Sequence, residues 1–267
     1  MVFPLNSESI TQAWLDGTEL LQQQPGNTAF NVVLDISAPL MLGEQDRAVL
    51  AKVDRFLAAH GKNHLQTVAN TIFPESLYRR YGADGVFKVY PGKVYPILKK
   101  DNPWGTYVHR MVRRENRAGK VVNPLENVIT ALKTEIRGRG PKRARYELGM
   151  TDPFMDISIA DPALPSANKA IGGPCLSHLS FKLDPASGQV RLVAFYRSHY
   201  YIERALGNLV GLARLLSFVA NEAGVSPGPL TCISSYARID VGPHWRRSEI
   251  DQLVCECKSM LTLKGAA

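Results

Sequence analysis

Three features of this chain have residue types and spacing that could do chemistry together. They are Cys175 behind the Gly172-Gly173-Pro174 bend, the Arg197-Ser198 pair, and Asn208 at the opening of a long apolar stretch. Alternation over residues 178–184 and 189–197, on either side of Pro185-Ala186-Ser187-Gly188, predicts a hairpin that sets Cys175 and Arg197 near its outer ends. A thiol beside a guanidinium has its pKa lowered from about 8.5, so thiolate is expected near neutrality. The competing reading of such a cysteine is a buried, inert thiol. With the amide of Asn208 added, the three features could converge on one anionic, ring-bearing ligand.

Several elements must hold these residues in place. Residues 123–133 have a clear helix grammar, with Asn123 as cap, Pro124 at the first helical position and Leu125, Val128, Ile129 and Leu132 on one face. Residues 46–60 read as an amphipathic helix stopped at Gly61, residues 10–21 as a further helix, and residues 30–36 as a strand. Pro74-Glu75 reads as a helix start, with an acid in the first turn where the helix dipole favours it. The functional alternative for Glu75 is a partly buried carboxyl of raised pKa, able to move protons. Residues 81–102 mix Tyr, Gly, Pro and Lys and read as an irregular surface segment.

Composition sets the outer bounds. A chain of 267 residues without a linker-like break reads as one α+β domain, residues 1–267. No apolar run approaches the ~20 residues of a membrane span, and the first residues lack a signal peptide, so a cytoplasmic protein with no membrane partner is expected. The formal charge of +8 favours anionic partners, nucleic acids and phosphorylated small molecules alike. Basic residues cluster over 110–120 and 137–145, as phosphate contacts or as solvated loops, but lack the interleaved aromatics of single-strand binders, so nucleic acid is the less favoured partner. The four cysteines form neither a disulfide framework nor paired zinc arms, and no metal is expected. Cys255 and Cys257 read as two small apolar side chains on one strand face.

The order Pro174-Cys175, Arg197-Ser198 and Asn208, eleven positions after the arginine, resembles the folate-dependent thymidylate synthases and their pyrimidine hydroxymethylase relatives. Trp104-Gly105-Thr106-Tyr107 and the helix over 123–133 extend the resemblance upstream, so that it covers about residues 104–253, with residues 1–103 divergent. It implies a thymidylate synthase-like α+β fold, a large mixed sheet packed with helices whose open face forms the interface of a homodimer. It also implies that Cys175 adds to carbon 6 of a pyrimidine nucleotide monophosphate and that 5,10-methylenetetrahydrofolate donates a one-carbon unit to carbon 5. Arg197 and Ser198 would hold the 5′-phosphate, and Asn208 the O4 and N3 edge of uracil. Tyr107 would take part in proton transfer, Glu75 is the candidate for the family's catalytic glutamate, and Lys142-Arg143 is the nearest match to the arginine pair that a partner subunit supplies.

The pattern also departs from the family. Leu176, Tyr196 and Tyr200 replace the usual His, Gln and Asp, and Arg238 and Asp240 stand where a His and a Tyr contact the sugar 3′-hydroxyl. Arg238 and Asp240 are therefore expected either to pair with each other or to recognise a ribose or a further charged group. Residues 152–169 read as an inserted loop beside the site, and a tail shorter than the family's favours capture of the intermediate by water. The expected activity is hydroxymethylation or methylation of a non-standard nucleotide, with a ribonucleotide among the candidates. The alternative is a catalytically silent relative that binds a nucleotide or RNA.

Overall fold

The computed structural model describes residues 2–99, 105–116, 118–138, 140, 142, 144–150, 174–242 and 244–262. The first half contains β1 (Phe3–Ser7), α1 (Ile10–Gln22), β2 (Thr28–Ile36), α2 (Glu44–Ala59), α3 (Leu65–Asn70), α4 (Glu75–Tyr81), a π-helical stretch (Gly85–Val94) and α5 (Tyr95–Leu98). Then follow α6 (Tyr107–Val112), the small pair β3 (Arg114–Glu115) and β4 (Val121–Val122), α7 (Pro124–Ile136) and β5 (Glu147–Gly149). The last part runs β6 (Leu176–Asp184), β7 (Gln189–Tyr196), β8 (His199–Tyr200), a second π-helical stretch (Tyr201–Ala205), α8 (Leu206–Ala223), β9 (Ser226–Arg238) and α9 (Arg247–Thr262).

One mixed sheet organises these elements, in the order β1-β2-β9-β7-β6-β5, with β8 added alongside β9. The β6–β7 hairpin is antiparallel as the alternation predicts, whereas β7 and β9 are parallel and are connected through α8. Helix α8 is apolar on nearly every side and buried along most of its length, which marks it as the central helix of the core. Two of its glycines set how closely α3 approaches. A Cβ at Gly207 would stand 2.7 Å from the Cβ of Val68, and one at Gly211 2.8 Å from the carbonyl of Ala69. Close contact there carries Val68 and Thr71 up to Asn208.

The helices expected over 10–21, 46–60 and 123–133 form over Ile10–Gln22, Glu44–Ala59 and Pro124–Ile136. Asn123 caps α7 by accepting the N–H of Glu126 at 3.1 Å. Two expectations are corrected. Residues 85–98 are helical, because Val86, Tyr90 and Tyr95 are buried in the core and tertiary burial overrides the local Gly and Pro signals. Cys255 and Cys257 lie on α9, where helical spacing buries Cys257 and exposes Cys255. No helix among the described residues is long and apolar enough to cross a membrane. The expected loop over 152–169 lies outside the described residues.

Candidate active site

The nucleophile candidate enters the sheet at a distortion. Arg197 donates its backbone N–H to the carbonyl of Cys175 at 2.9 Å, and Leu176 pairs with Tyr196, so the two outer ends of the hairpin meet. The register then slips between Leu176 and His178, a bulge of the kind that re-aims side chains next to functional sites. Cys175 is half-buried there. Burial pushes its thiol pKa up, and the opposing pull of Arg197 and Arg204 is smaller. This corrects the expectation of a thiolate near neutrality: the guanidiniums are present, but desolvation outweighs them and the neutral thiol is the resting form.

Tyr107 is aimed by its own local structure. Thr106 caps α6 by accepting the N–H of His109 at 3.3 Å, its hydroxyl lies 2.8 Å from that of Tyr90, and the N–H of Val108 reaches the carbonyl of Thr71 at 3.0 Å. Gly105 just before it has φ +73°, and a Cβ there would stand 2.7 Å from the Tyr95 hydroxyl. The phenol oxygen of Tyr107 accepts the backbone N–H groups of Cys175 at 3.1 Å and Leu176 at 3.2 Å. Both lone pairs are thereby engaged, and the O–H proton is its remaining hydrogen-bonding capacity. Burial pushes this phenol pKa up, which keeps it protonated.

The segment from Ser198 to Asn208 supplies the opposite wall. Asp240 accepts the N–H groups of Ile202 at 2.8 Å and Glu203 at 3.0 Å, and Trp14 donates to the carbonyl of Tyr201 at 2.7 Å. These contacts fix the π-helical stretch that carries Arg204 and leads into Asn208. The side chain of Arg204 pairs with Glu203 at 2.8 Å, and Glu203 also pairs with Lys62 at 3.3 Å. His199 is fully buried between Asn208, 3.1 Å from its Nε2, and Ser234, 2.9 Å from its Nδ1.

Cys175, Tyr107, Ser198, Tyr200, Asn208 and Arg204 line one cavity of about 350 Å³. A second cavity of about 750 Å³ adjoins it, sharing Thr71, Thr106 and Arg204 and reaching Tyr90, Val94 and Leu98. The first is of a size for a mononucleotide and the second for a larger, partly apolar ring system. No carboxylate-bearing residue lines the first cavity among the described residues, whereas Arg204 and the buried Arg110 do, so the lining favours an anionic ligand.

The structure does not bring every expected residue to this cavity. Glu75 starts α4 and holds Arg214 at 2.8 Å and Arg79 at 2.6 Å, away from the lining. The carboxylate of Asp240 is engaged by backbone N–H groups instead of pairing with Arg238. The guanidinium of Arg238 lies 4.3 Å from the centre of the Tyr200 ring and so backs a residue of the cavity wall. Arg197 is not among the lining residues, but its guanidinium is near enough to the Cys175 thiol to pull its pKa down against burial. Arg143 lies outside the described residues. Sequence reasoning missed Arg204, His199 and Arg110. Arg204 stands four residues before Asn208, one helical turn away, and His199 directly follows Ser198, so proximity within the motif was the available signal.

No protein-family model matches the chain. Proteins named "Putative thymidylate synthase" from Methanosarcina barkeri and Methanopyrus kandleri are each 38% identical to it over 66 residues. One from Methanococcoides burtonii is 36% identical over 66 residues. The match to the Methanosarcina barkeri protein covers 25% of this chain and spans 30% of the length of that relative. Over that stretch the chain is a divergent, thymidylate synthase-like sequence.

Proposed function

We propose that this protein transfers a one-carbon unit to carbon 5 of a pyrimidine nucleotide monophosphate through a covalent adduct on Cys175, leaving a hydroxymethyl or methyl group. The observation that carries the reading is the convergence of Cys175, Tyr107 and the segment bearing Ser198 and Asn208, three separate stretches of chain, on one cavity. The sulfur of Cys175 adds to ring carbon 6 as its proton passes to solvent water, and the electrons of the 5,6 double bond pass toward the 4-oxygen. Arg197 and Arg204 stabilise the thiolate as it forms, which offsets the burial that otherwise holds the thiol neutral. Arg197 and Ser198 grip the phosphate, and Asn208 pairs with the ring edge at O4 and N3. Tyr107 holds a proton beside the nucleophile.

When bound, methylenetetrahydrofolate would supply the one-carbon unit and, for a methyl product, also the hydride that reduces it, whereas addition of water would complete a hydroxymethyl group. The size and mixed lining of the second cavity support this reading: Tyr90, Val94 and Leu98 would hold the ring system, and Asn70, Ser76 and Arg204 would supply polar contacts. Helices α1 and α8 pack on one side of the sheet, while Phe195, on the side opposite the buried Ala194 and Tyr196, is exposed. That open face supports a homodimer, in which Lys142 and Arg143 of the partner subunit would reach the phosphate.

The test is release of tritium from carbon 5 of labelled UMP, dUMP, CMP and dCMP with methylenetetrahydrofolate. Release from one of them, abolished in Cys175→Ala, is expected; no release from any sinks the proposal.

A further inference from the structure

The amide of Asn208 is held in one sense. Its Nδ2 lies 3.1 Å from Nε2 of His199, and because an amide N–H can only donate, this contact requires a lone pair on Nε2 and a neutral ring protonated on Nδ1, which lies 2.9 Å from Ser234 Oγ. The imidazole is stacked on Tyr196, with 4.1 Å between centroids and 2° between planes, and meets the edge of Tyr201 at 5.5 Å. Burial pushes the His199 pKa down to about 3, so near neutral pH the ring has one acceptor nitrogen and no charge.

We infer that His199 is a specificity-positioning residue: by fixing which end of the Asn208 amide meets its ring, it makes the cavity select a 4-oxo pyrimidine over a 4-amino one. The inference rests on the nucleotide reading of the cavity. With one N–H held by His199, Asn208 presents its other N–H and its Oδ1, which complement the O4 acceptor and the N3–H donor of a uracil edge. A cytosine edge in the same place sets its N3 lone pair against Oδ1 and its amino group against the amide N–H, reversing both contacts. Turning the amide to suit cytosine would set Oδ1 against the lone pair on Nε2.

Two measurements test this. Nitrogen-15 spectra of the protein labelled at histidine report which ring nitrogen is protonated, and the His199 proton is expected on Nδ1. Calorimetric titration of the intact protein with UMP, dUMP, CMP and dCMP is expected to show at least about tenfold preference for the uracil nucleotides, equivalent to about 1.4 kcal/mol. His199→Leu should reduce that preference below about threefold. Since replacing a buried ring can unfold the chain, Ser234→Ala is the second variant. It removes the acceptor of the Nδ1 proton and should move that proton to Nε2, with the preference weakened or reversed. A wild-type ring protonated on Nε2, or a preference that survives both substitutions, overturns the inference alone. Failure of the wild type to bind any of the four nucleotides overturns the nucleotide reading and this inference with it.

Discussion

The hydroxyl of Tyr107 accepts the backbone N–H of Cys175 at 3.1 Å, so the phenol and the main chain of the candidate nucleophile form one hydrogen-bonded unit. Tyr107→Phe leaves that N–H and the one of Leu176 without their acceptor and removes a proton carrier from the cavity. The expected result is a loss of about 1–3 kcal/mol in stability and about 10²-fold or more in tritium release, with nucleotide affinity within a few-fold of wild type. Thermal melts, single-turnover release and calorimetry check the three parts. An unchanged release rate would remove Tyr107 from the mechanism.

The thiol of Cys175 is set by two opposed effects, burial raising its pKa and Arg197 and Arg204 lowering it. Alkylation by iodoacetamide should therefore still be rising with pH above the ordinary range of a free cysteine. Arg204→Met removes one positive charge, raises the pKa further and should slow alkylation at pH 7.5 several-fold. The exposed Cys255 is a second reactive site, so both proteins should carry Cys255→Ser. Faster alkylation in the Arg204→Met variant would contradict the electrostatic account.

His199 also links stability to pH. Its pKa falls from 6.5 to about 3 on folding, so the unfolded chain binds a proton that the folded one does not. Stability from this group is present above about pH 6.5 and declines as pH falls toward 3, with a limiting slope of about 1.4 kcal/mol per pH unit. His109, lowered to about 4 by burial and by Arg113, adds a loss of the same sign. Denaturant titrations between pH 7 and 4 should give a slope about one proton shallower in a folded His199→Leu variant than in wild type. Equal slopes would place the ring in contact with solvent.

Glu75 bridges α4 to α8 through Arg214, whose own side chain is largely buried. Glu75→Gln leaves that guanidinium without its carboxylate and should cost about 1–3 kcal/mol in a urea titration. Tritium release under native conditions should stay within about threefold, because Glu75 is not among the residues lining the cavity. A loss of 10²-fold would show that the carboxyl reaches the substrate after all.

The parts of this structure legible in the sequence are those that local chemistry dictates. Alternation gives β6 and β7, the Asn123-Pro124 pair starts α7, and the spacing of Cys175, Ser198 and Asn208 anticipates elements that meet at one cavity. What could not be read depends on the third dimension. The helical path of residues 85–98 follows from burying Tyr90 and Tyr95, which no local signal announces. The direction of the Cys175 shift required the degree of burial as well as the neighbouring charges. Ser234 lies 35 residues from His199 and joins it only because β9 pairs with β7 and β8. Asp240 reads as a ligand contact in one dimension and proves to hold the backbone that carries Arg204.

The adduct on Cys175 is the central claim, and intact-protein mass spectrometry tests it most directly. Incubation with the 5-fluoro analogue of the best nucleotide and methylenetetrahydrofolate should trap the adduct, because fluorine cannot leave carbon 5 as a proton does. The account predicts a stable mass increase equal to nucleotide plus folate, mapped to the peptide containing Cys175 and absent in Cys175→Ala. Absence of any adduct with the wild type, or an adduct that persists in Cys175→Ala, would contradict it.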